Sequence, residues 1–262
     1  MIISTANAKV KWLLKLQQKR RIRETENLFV VEGLRIFEET PKEHIREVYV
    51  SESFYEKYED KITLFELFKV EIVSESVFAH ISDTKSPQGI LCVVEMKKYT
   101  LEQMMEKKPA HLLILEDIRD PGNIGTILRS AEGAGVTGVL LSKNCVDMYN
   151  PKVIRSTMGS IYRVPFLYVE DLKETIGYLK EQNVRIYATH LAGTTYYSVE
   201  QYRESLAFVF GNEANGLSAE IAKLSDARVK IPMQGKVESL NVATAAAVFM
   251  FEVCRQRCES LE

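Results

Sequence analysis

Apolar and polar positions along this chain fall into two blocks in which strand-like and helix-like stretches alternate, with one basic stretch ahead of both. In the first block four short apolar runs recur, LFVVEG, REVYVS, VEIVS and GILCVVEM, rich in β-branched residues and of strand length. Between them lie segments of helical spacing around Ile36, over residues 54–58 and over residues 77–81. The alternation predicts a small α/β domain over residues 27–96. The second block starts at His111. Apolar runs over residues 111–116, 136–141, 164–169, 184–189, 206–210 and 227–231 predict strands, and residues 124–132, 172–182 and 217–224 predict helices. A further helix follows Asn150-Pro151, and a long alanine-rich one follows Asn241. Such an order predicts a largely parallel sheet covered on both faces, which takes its ligands beyond the carboxyl ends of the strands.

Residues 1–23 carry Lys9, Lys11, Lys15, Lys19, Arg20, Arg21 and Arg23 with no acidic side chain, and Val10, Leu13, Leu14 and Leu16 recur at helical spacing. Residues 1–26 therefore read as a basic amphipathic helix, with Ser4, Thr5 or Asn7 as its cap. Two roles stay open for it: a solvated charged face, or an arm that contacts phosphates. Residues 97–109, KKYTLEQMMEKKP, are polar and poor in strand formers and read as a linker, which leaves residues 110–262 as the second domain.

Charge and composition narrow the function classes. A formal net charge of −2 excludes a globally basic protein, so any nucleic-acid surface is local. The cysteines Cys92, Cys145, Cys254 and Cys258 lack framework spacing and no secretory leader precedes them, which predicts reduced thiols in a cytoplasmic protein. Cys254 and Cys258 share a helix face, but no histidine pair accompanies them and the histidines show no HExxH spacing, so no metal is expected. No apolar run approaches membrane-spanning length. Gly133-Ala-Gly135-Val-Thr-Gly138 matches GxGxxG, yet it falls where a helix ends and a strand begins. The dinucleotide fingerprint needs the reverse order, so that pyrophosphate meets a helix N-terminus.

Three polar segments each follow an apolar strand: NIGTILR (123–129), FGNEANGLS (210–218) and IPMQGKVESLN (231–241). Singly each has a plain explanation, with Asn123 and Asn241 as caps, Arg129 as a solvated helix residue and Asn215-Gly216 as a turn. Together, at these spacings, they resemble the three motifs of the SpoU (TrmH-like) RNA ribose 2′-O-methyltransferases of the SPOUT class. Residues 27–95, with FVVEG at the start and SPQGI before the last strand, look like the RNA-binding domain of many members, a fold similar to a ribosomal protein. The loop at residues 83–89 is then a candidate RNA-reading loop.

The resemblance implies an α/β catalytic domain tied in a deep trefoil knot, with S-adenosylmethionine as methyl donor and no metal. It implies Thr189, Leu191, Gly193, Gly211, Ile231, Met233 and Leu240 around the donor, with glycine at 211 because a side chain there would take up ligand space. Catalytic roles fall to Asn123, Arg129, Glu213, Ser239 and Asn241: Arg129 at the ribose hydroxyl, as its base or as a group that holds the geometry through a phosphate or the developing alkoxide, Asn123 and Asn241 orienting the ribose and Arg129, Glu213 pairing with Arg129 or positioning substrate, and Ser239 supporting the loop or the donor. The implied partners are RNA, foremost large-subunit ribosomal RNA with transfer RNA second, and a second copy of the chain across the alanine-rich helix. The competing readings are a non-catalytic RNA-binding or assembly factor on the same fold and a small-molecule enzyme with a nucleotide cofactor.

Overall fold

In the computed structural model, which describes residues 1–58, 67–191, 193, 195–198 and 200–258, the chain divides into two units, Met1–Lys97 with Asp147–Tyr162 and Lys98–Val146 with Arg163–Glu262. Residues 59–66 and 259–262, which the expected domains include, lie outside the described residues.

In the first unit, β1 (Leu28–Glu32), β2 (Ile45–Ser51), β3 (Val70–Val73) and β4 (Ile90–Glu95) form a sheet in the order β1-β4-β2-β3. It is antiparallel except where β2 meets β3. Successive strand side chains point to opposite faces. Val30, Tyr49, Leu91 and Val93 bury beside α1 (Ala8–Gln18) and α5 (Glu75–Ile81), whereas Phe29, Val48, Val50, Ile90 and Cys92 bury beside Phe37 of α3 (Leu34–Glu39) and Phe54 of α4 (Glu52–Tyr58). Ile154 of α8 (Pro151–Thr157) joins that second cluster, and the rings of Tyr149 and Tyr162 lie 4.6 and 6.4 Å from that of Phe29. Residues 147–162, expected with the second domain, thus complete the core of the first unit.

The basic stretch forms two helices, α1 and α2 (Arg20–Glu26), which meet at Lys19, and Asn7 caps α1 through Lys9 N. Val10, Leu13 and Leu16 are fully buried. At about 1.5–3 kcal/mol each, these side chains make α1 part of the core. Arg23 is buried too, paired with Asp147 and donating to the carbonyl of Gln17 at 2.8 Å. Such a pair adds little net stability, but removing one partner costs about 3–5 kcal/mol. It therefore pins residues 147–162 to the first unit. Lys11, Lys15, Lys19 and Arg21 stay exposed.

In the second unit the stretch expected as a linker holds α6 (Leu101–Met105), closed by a Thr100–Gln103 capping box. Met104 is fully buried, and a Cβ on Gly138 would stand 2.5 Å from its thioether. That Gly138, the last of the GxGxxG match, is therefore needed for packing. The sheet runs β7 (Phe166–Val169), β6 (Gly138–Ser142), β5 (His111–Leu115), β10 (Leu206–Phe210), β8 (Arg185–Thr189), β11 (Ala227–Lys230), β9 (Thr195–Tyr196), with every pairing parallel. The short β9 lacks an apolar run and has no counterpart in the expected elements. One face packs on α6, α9 (Leu172–Glu181) and α10 (Ala219–Leu224). On the other, Phe208 and Phe210 meet Phe249 of α11 (Val242–Cys258) at ring distances of 5.0 and 5.9 Å. α7 (Pro121–Gly133) packs against α11.

Candidate functional site

Parallel pairing puts the carboxyl ends of β5, β10, β8 and β11 along one edge of the sheet, and β10, β8 and β11 are immediate neighbours there. The polar segments begin at that edge. α7 starts three residues earlier than its apolar spacing predicts. Pro121 occupies its first turn and Asp120, not Asn123, is the cap, accepting from Asn123 N at 2.7 Å. Freed from capping, the Asn123 side chain turns outward from the first turn.

Its amide links the three segments. Asn241 Oδ1 accepts from Ala243 N at 2.9 Å and Thr244 N at 3.3 Å, so it caps α11 as expected. With that oxygen held, Nδ2 of Asn241 donates to Asn123 Oδ1 at 2.9 Å. Nδ2 of Asn123 in turn donates to Glu213 Oε1 at 3.0 Å. Each amide can face only one way, because the oxygen of the first is committed to helix N–H groups. Burial alone would raise the Glu213 carboxyl, but hydrogen bonds from Asn123 and from the backbone of Glu213, Asp120 and Arg119 outweigh it and hold the group below the usual carboxylate range.

The loop that carries Glu213 is shaped by residues the motif reading passed over. Asn212 donates to Asp117 O at 2.8 Å while accepting from Ala214 N at 2.9 Å, and Glu116 Oε2 accepts from Ser218 N at 2.8 Å. An asparagine two residues before a bonded N–H is an Asx turn, a signal available in the sequence. At Gly211 a Cβ would stand 2.2 Å from the backbone of both Gly216 and Leu217, so the glycine is needed for the loop to fold back on itself.

The structure brings Asn123, Glu213 and Asn241 together. Arg129 lies further along α7, exposed, and among the described residues neither its guanidinium nor the Ser239 hydroxyl has a hydrogen-bond or ion-pair partner. Glu213 thus bonds Asn123 rather than Arg129.

The residues expected around the donor lie at the end of β8 or on the segments that follow β8, β10 and β11. Thr189 Oγ1 donates to Val209 O at 2.8 Å, across the β8–β10 pair. Gly193 sits where a Cβ would come within 2.9 Å of the Val229 carbonyl carbon. Leu191 is 63% exposed and Val237 61%, while Ile231, Met233 and Leu240 are half-buried. Among the described residues no backbone hydrogen bond engages residues 231–240. Apolar side chains beside unspent backbone donors and acceptors fit the flat heterocycle and polar edge of an adenosine, so this edge suits S-adenosylmethionine. Among the described residues no group of His, Cys, Asp and Glu is placed to hold a metal.

The model of the SpoU rRNA Methylase family matches residues 110–251, and that of the MRM3-like substrate binding domain matches residues 7–92. The 23S rRNA (guanosine(2553)-2′-O)-methyltransferase RlmP of Bacillus subtilis (strain 168) is 32% identical over 96% of this chain and 98% of its own. The AdoMet-bound rRNA methyltransferase of Sinorhizobium meliloti is 29% identical, with a TM-score of 0.83 over 97% of each chain. The SpoU methyltransferase AviRb of Streptomyces viridochromogenes is 25% identical, with a TM-score of 0.83 over 97% of this chain and 99% of that one.

Proposed function

Because the chain belongs to the SpoU rRNA methylase family and is an S-adenosylmethionine-dependent RNA ribose 2′-O-methyltransferase, we propose that its substrate is large-subunit ribosomal RNA and that its site is the Asn241–Asn123–Glu213 chain together with Arg129. The observation that carries this is the pair of side-chain hydrogen bonds, 2.9 and 3.0 Å, joining three loops separated by up to 118 residues. The ribosomal substrate draws on the Bacillus relative, whose likeness spans both units.

Bound donor supplies a methyl carbon on a sulfonium, open to in-line attack by the ribose oxygen. A neutral 2′-hydroxyl is a weak nucleophile, and Glu213, held below the usual carboxylate range, is a weak base. Its carboxylate serves as a fixed acceptor that orients Asn123 and the ribose. The hydroxyl proton would pass to solvent water as the oxygen attacks, and the exposed Arg129 guanidinium would meet the neighbouring phosphate and the negative charge that the departing proton leaves on the 2′-oxygen. Alignment of two reactants alone lowers a barrier by about 7–11 kcal/mol, which makes a site of positioning groups sufficient without a strong base. Leu191, Gly193, Ile231, Met233 and Leu240 would line the donor, with Thr189 and Gly211 supporting the loops behind it.

A homodimer belongs to the same reading. α11 is apolar on two sides: Ala243, Ala246, Phe249, Met250 and Val253 are buried, while Phe251 is 49% exposed and Val248 half-buried. A second copy laid over the outer side would cover Phe251. A trefoil knot is supported by the sheet order, in which the late strand β11 is flanked on both sides by the earlier β8 and β9. Among the described residues no helix is long and apolar enough to cross a membrane, and the proposed ribosomal substrate supports a cytoplasmic location.

The test is methylation of total RNA by the purified protein with labelled donor, followed by alkaline digestion and mass spectrometry. One linkage in large-subunit RNA resistant to alkali is expected. Methylation confined to transfer RNA, or none with donor bound, would overturn the proposal.

A further inference from the structure

The first unit holds a cavity of about 350 Å³ that no catalytic role uses, lined from β1, α3, the 83–89 loop and α8. This volume is within the roughly 300–1,000 Å³ typical of small-ligand pockets. Gln88 is its fixed polar group. Oε1 of Gln88 accepts from Leu34 N at 2.8 Å, which sets the amide, and among the described residues its Nε2 donor has no partner. Opposite chemistry comes from Ile36 and from Met158, which is 37% exposed and holds a left-handed backbone, φ 50°, that a long L side chain rarely adopts.

The two arginines of the lining each face a carboxylate. Arg35 pairs with Glu39 at 3.3 Å and Arg155 with Asp83 at 2.8 Å. Glu32 accepts from Ser82 Oγ at 2.6 Å, Thr84 Oγ1 at 2.8 Å and Asp83 N at 2.9 Å. The uncharged part of the lining is Ile36, Gln88 and Met158. The fitting occupant is an uncharged group with a flat apolar face and an acceptor on its edge. A nucleobase splayed out of a single strand has both features, and single-stranded RNA is read through such bases.

We propose that this pocket receives one unpaired base of the substrate RNA, with its face against Met158 and an edge acceptor on Gln88 Nε2. The proposal rests on the reading of the chain as an RNA methyltransferase. It adds that part of the base-reading surface, Met158, comes from a segment expected with the catalytic domain.

Two substitutions separate this from a structural role. Met158→Gly relieves the left-handed backbone while removing the thioether, so the thermal midpoint should hold or rise as RNA binding weakens. Gln88→Glu keeps the acceptor for Leu34 N, removes the donor and adds one negative charge, whose part in any loss of affinity shows as a change in salt dependence. The probe is a synthetic RNA fragment around the methylated nucleotide, scanned with single abasic residues, its affinity read by fluorescence anisotropy at several salt concentrations. Each variant should bind about 10-fold more weakly, the loss of one good hydrogen bond or of one stacked base. The salt dependence of Met158→Gly should match the parent's, because no phosphate contact is lost. One abasic position should weaken binding to the parent protein and leave binding to Met158→Gly unchanged. If no abasic position behaves so, or if both variants bind like the parent, the pocket reads no base and the proposal falls while methylation stands. If the parent protein neither binds nor methylates ribosomal RNA, the underlying reading falls instead.

Discussion

Asn241 caps a helix and also donates to Asn123 in the proposed site, and Asn241→Asp separates the two. The cap rests on Oδ1 accepting from Ala243 and Thr244 N–H, worth about 1 kcal/mol. Aspartate keeps that acceptor and places a negative charge at the helix N-terminus, which adds roughly 0.3–1 kcal/mol. Lost is the Nδ2 donor to Asn123 Oδ1 at 2.9 Å. Two acceptors then face each other, and the Asn123 amide rotates to present Nδ2 to the new carboxylate and its carbonyl to Glu213. The charge-assisted bond that Glu213 receives at 3.0 Å is removed, a loss of about 1.5–3 kcal/mol in orientation. At 1.4 kcal/mol per factor of ten, kcat should fall roughly 10- to 100-fold. The thermal midpoint should be unchanged or higher, and donor affinity unchanged. Single-turnover methylation at saturating RNA and donor, circular dichroism melts and calorimetry of donor binding measure the three. A variant that melts like the parent and also turns over within twofold of it would show that Asn241 does nothing beyond capping.

Three further outcomes are expected. Arg129→Ala should abolish transfer yet bind donor with the parent's affinity by calorimetry; an equal loss of donor affinity would move Arg129 to the donor side of the site. Replacing Lys11, Lys15, Lys19 and Arg21 together by Gln should lower the log–log salt slope of RNA binding by up to about 3, at roughly 0.7 per single-strand phosphate contact, without unfolding the chain. An unchanged slope would leave α1 and α2 purely structural, and truncation is no substitute, since it would strip Val10, Leu13, Leu16 and Arg23 from the core. Burial, with Arg257 nearby, lowers the His111 imidazole to about 3, and its Nε2 has no partner. Below an unfolded pKa of about 6.5 the unfolded chain takes up a proton that the folded one refuses, so stability falls with pH through that value, by about 1.4 kcal/mol at pH 5.5. His111→Phe should remove that part of the decline in urea melts between pH 7.5 and 5.5; an unaltered pH profile would place the titration elsewhere.

Much of the architecture is legible before any coordinates. Apolar runs of strand length mark β1, β4, β5 and β10 within a residue or two, because burial on both sheet faces leaves no polar position between their ends. The helix starts are less so. Asp120-Pro121 is a cap followed by a first-turn proline, but apolar spacing alone hides it, since the first buried residue of α7 is Ile124. The stretch 97–109 looks polar overall, and only the packing of Met104 against Gly138 reveals a core element within it. In the site, the motifs identify which loops matter but not how the side chains pair. The resemblance leaves Glu213 either pairing with Arg129 or positioning substrate; the first turn of α7 presents Asn123 to it.

What the sequence determines by itself is local: the period of apolar positions, the residues able to cap or turn, and three polar segments at strand ends whose spacing carries the family resemblance. The tertiary structure decides which distant groups meet. It assigns residues 147–162 to the first unit through Arg23 and Asp147, makes Gly211 a matter of the Gly216–Leu217 backbone, and sets the direction of the amides between Asn241, Asn123 and Glu213. The physical reason is that periodicity reports only whether a residue is buried. Hydrogen bonds and steric contacts between residues far apart in the chain depend on strand order and on the exact exit of each loop, and neither leaves a local trace.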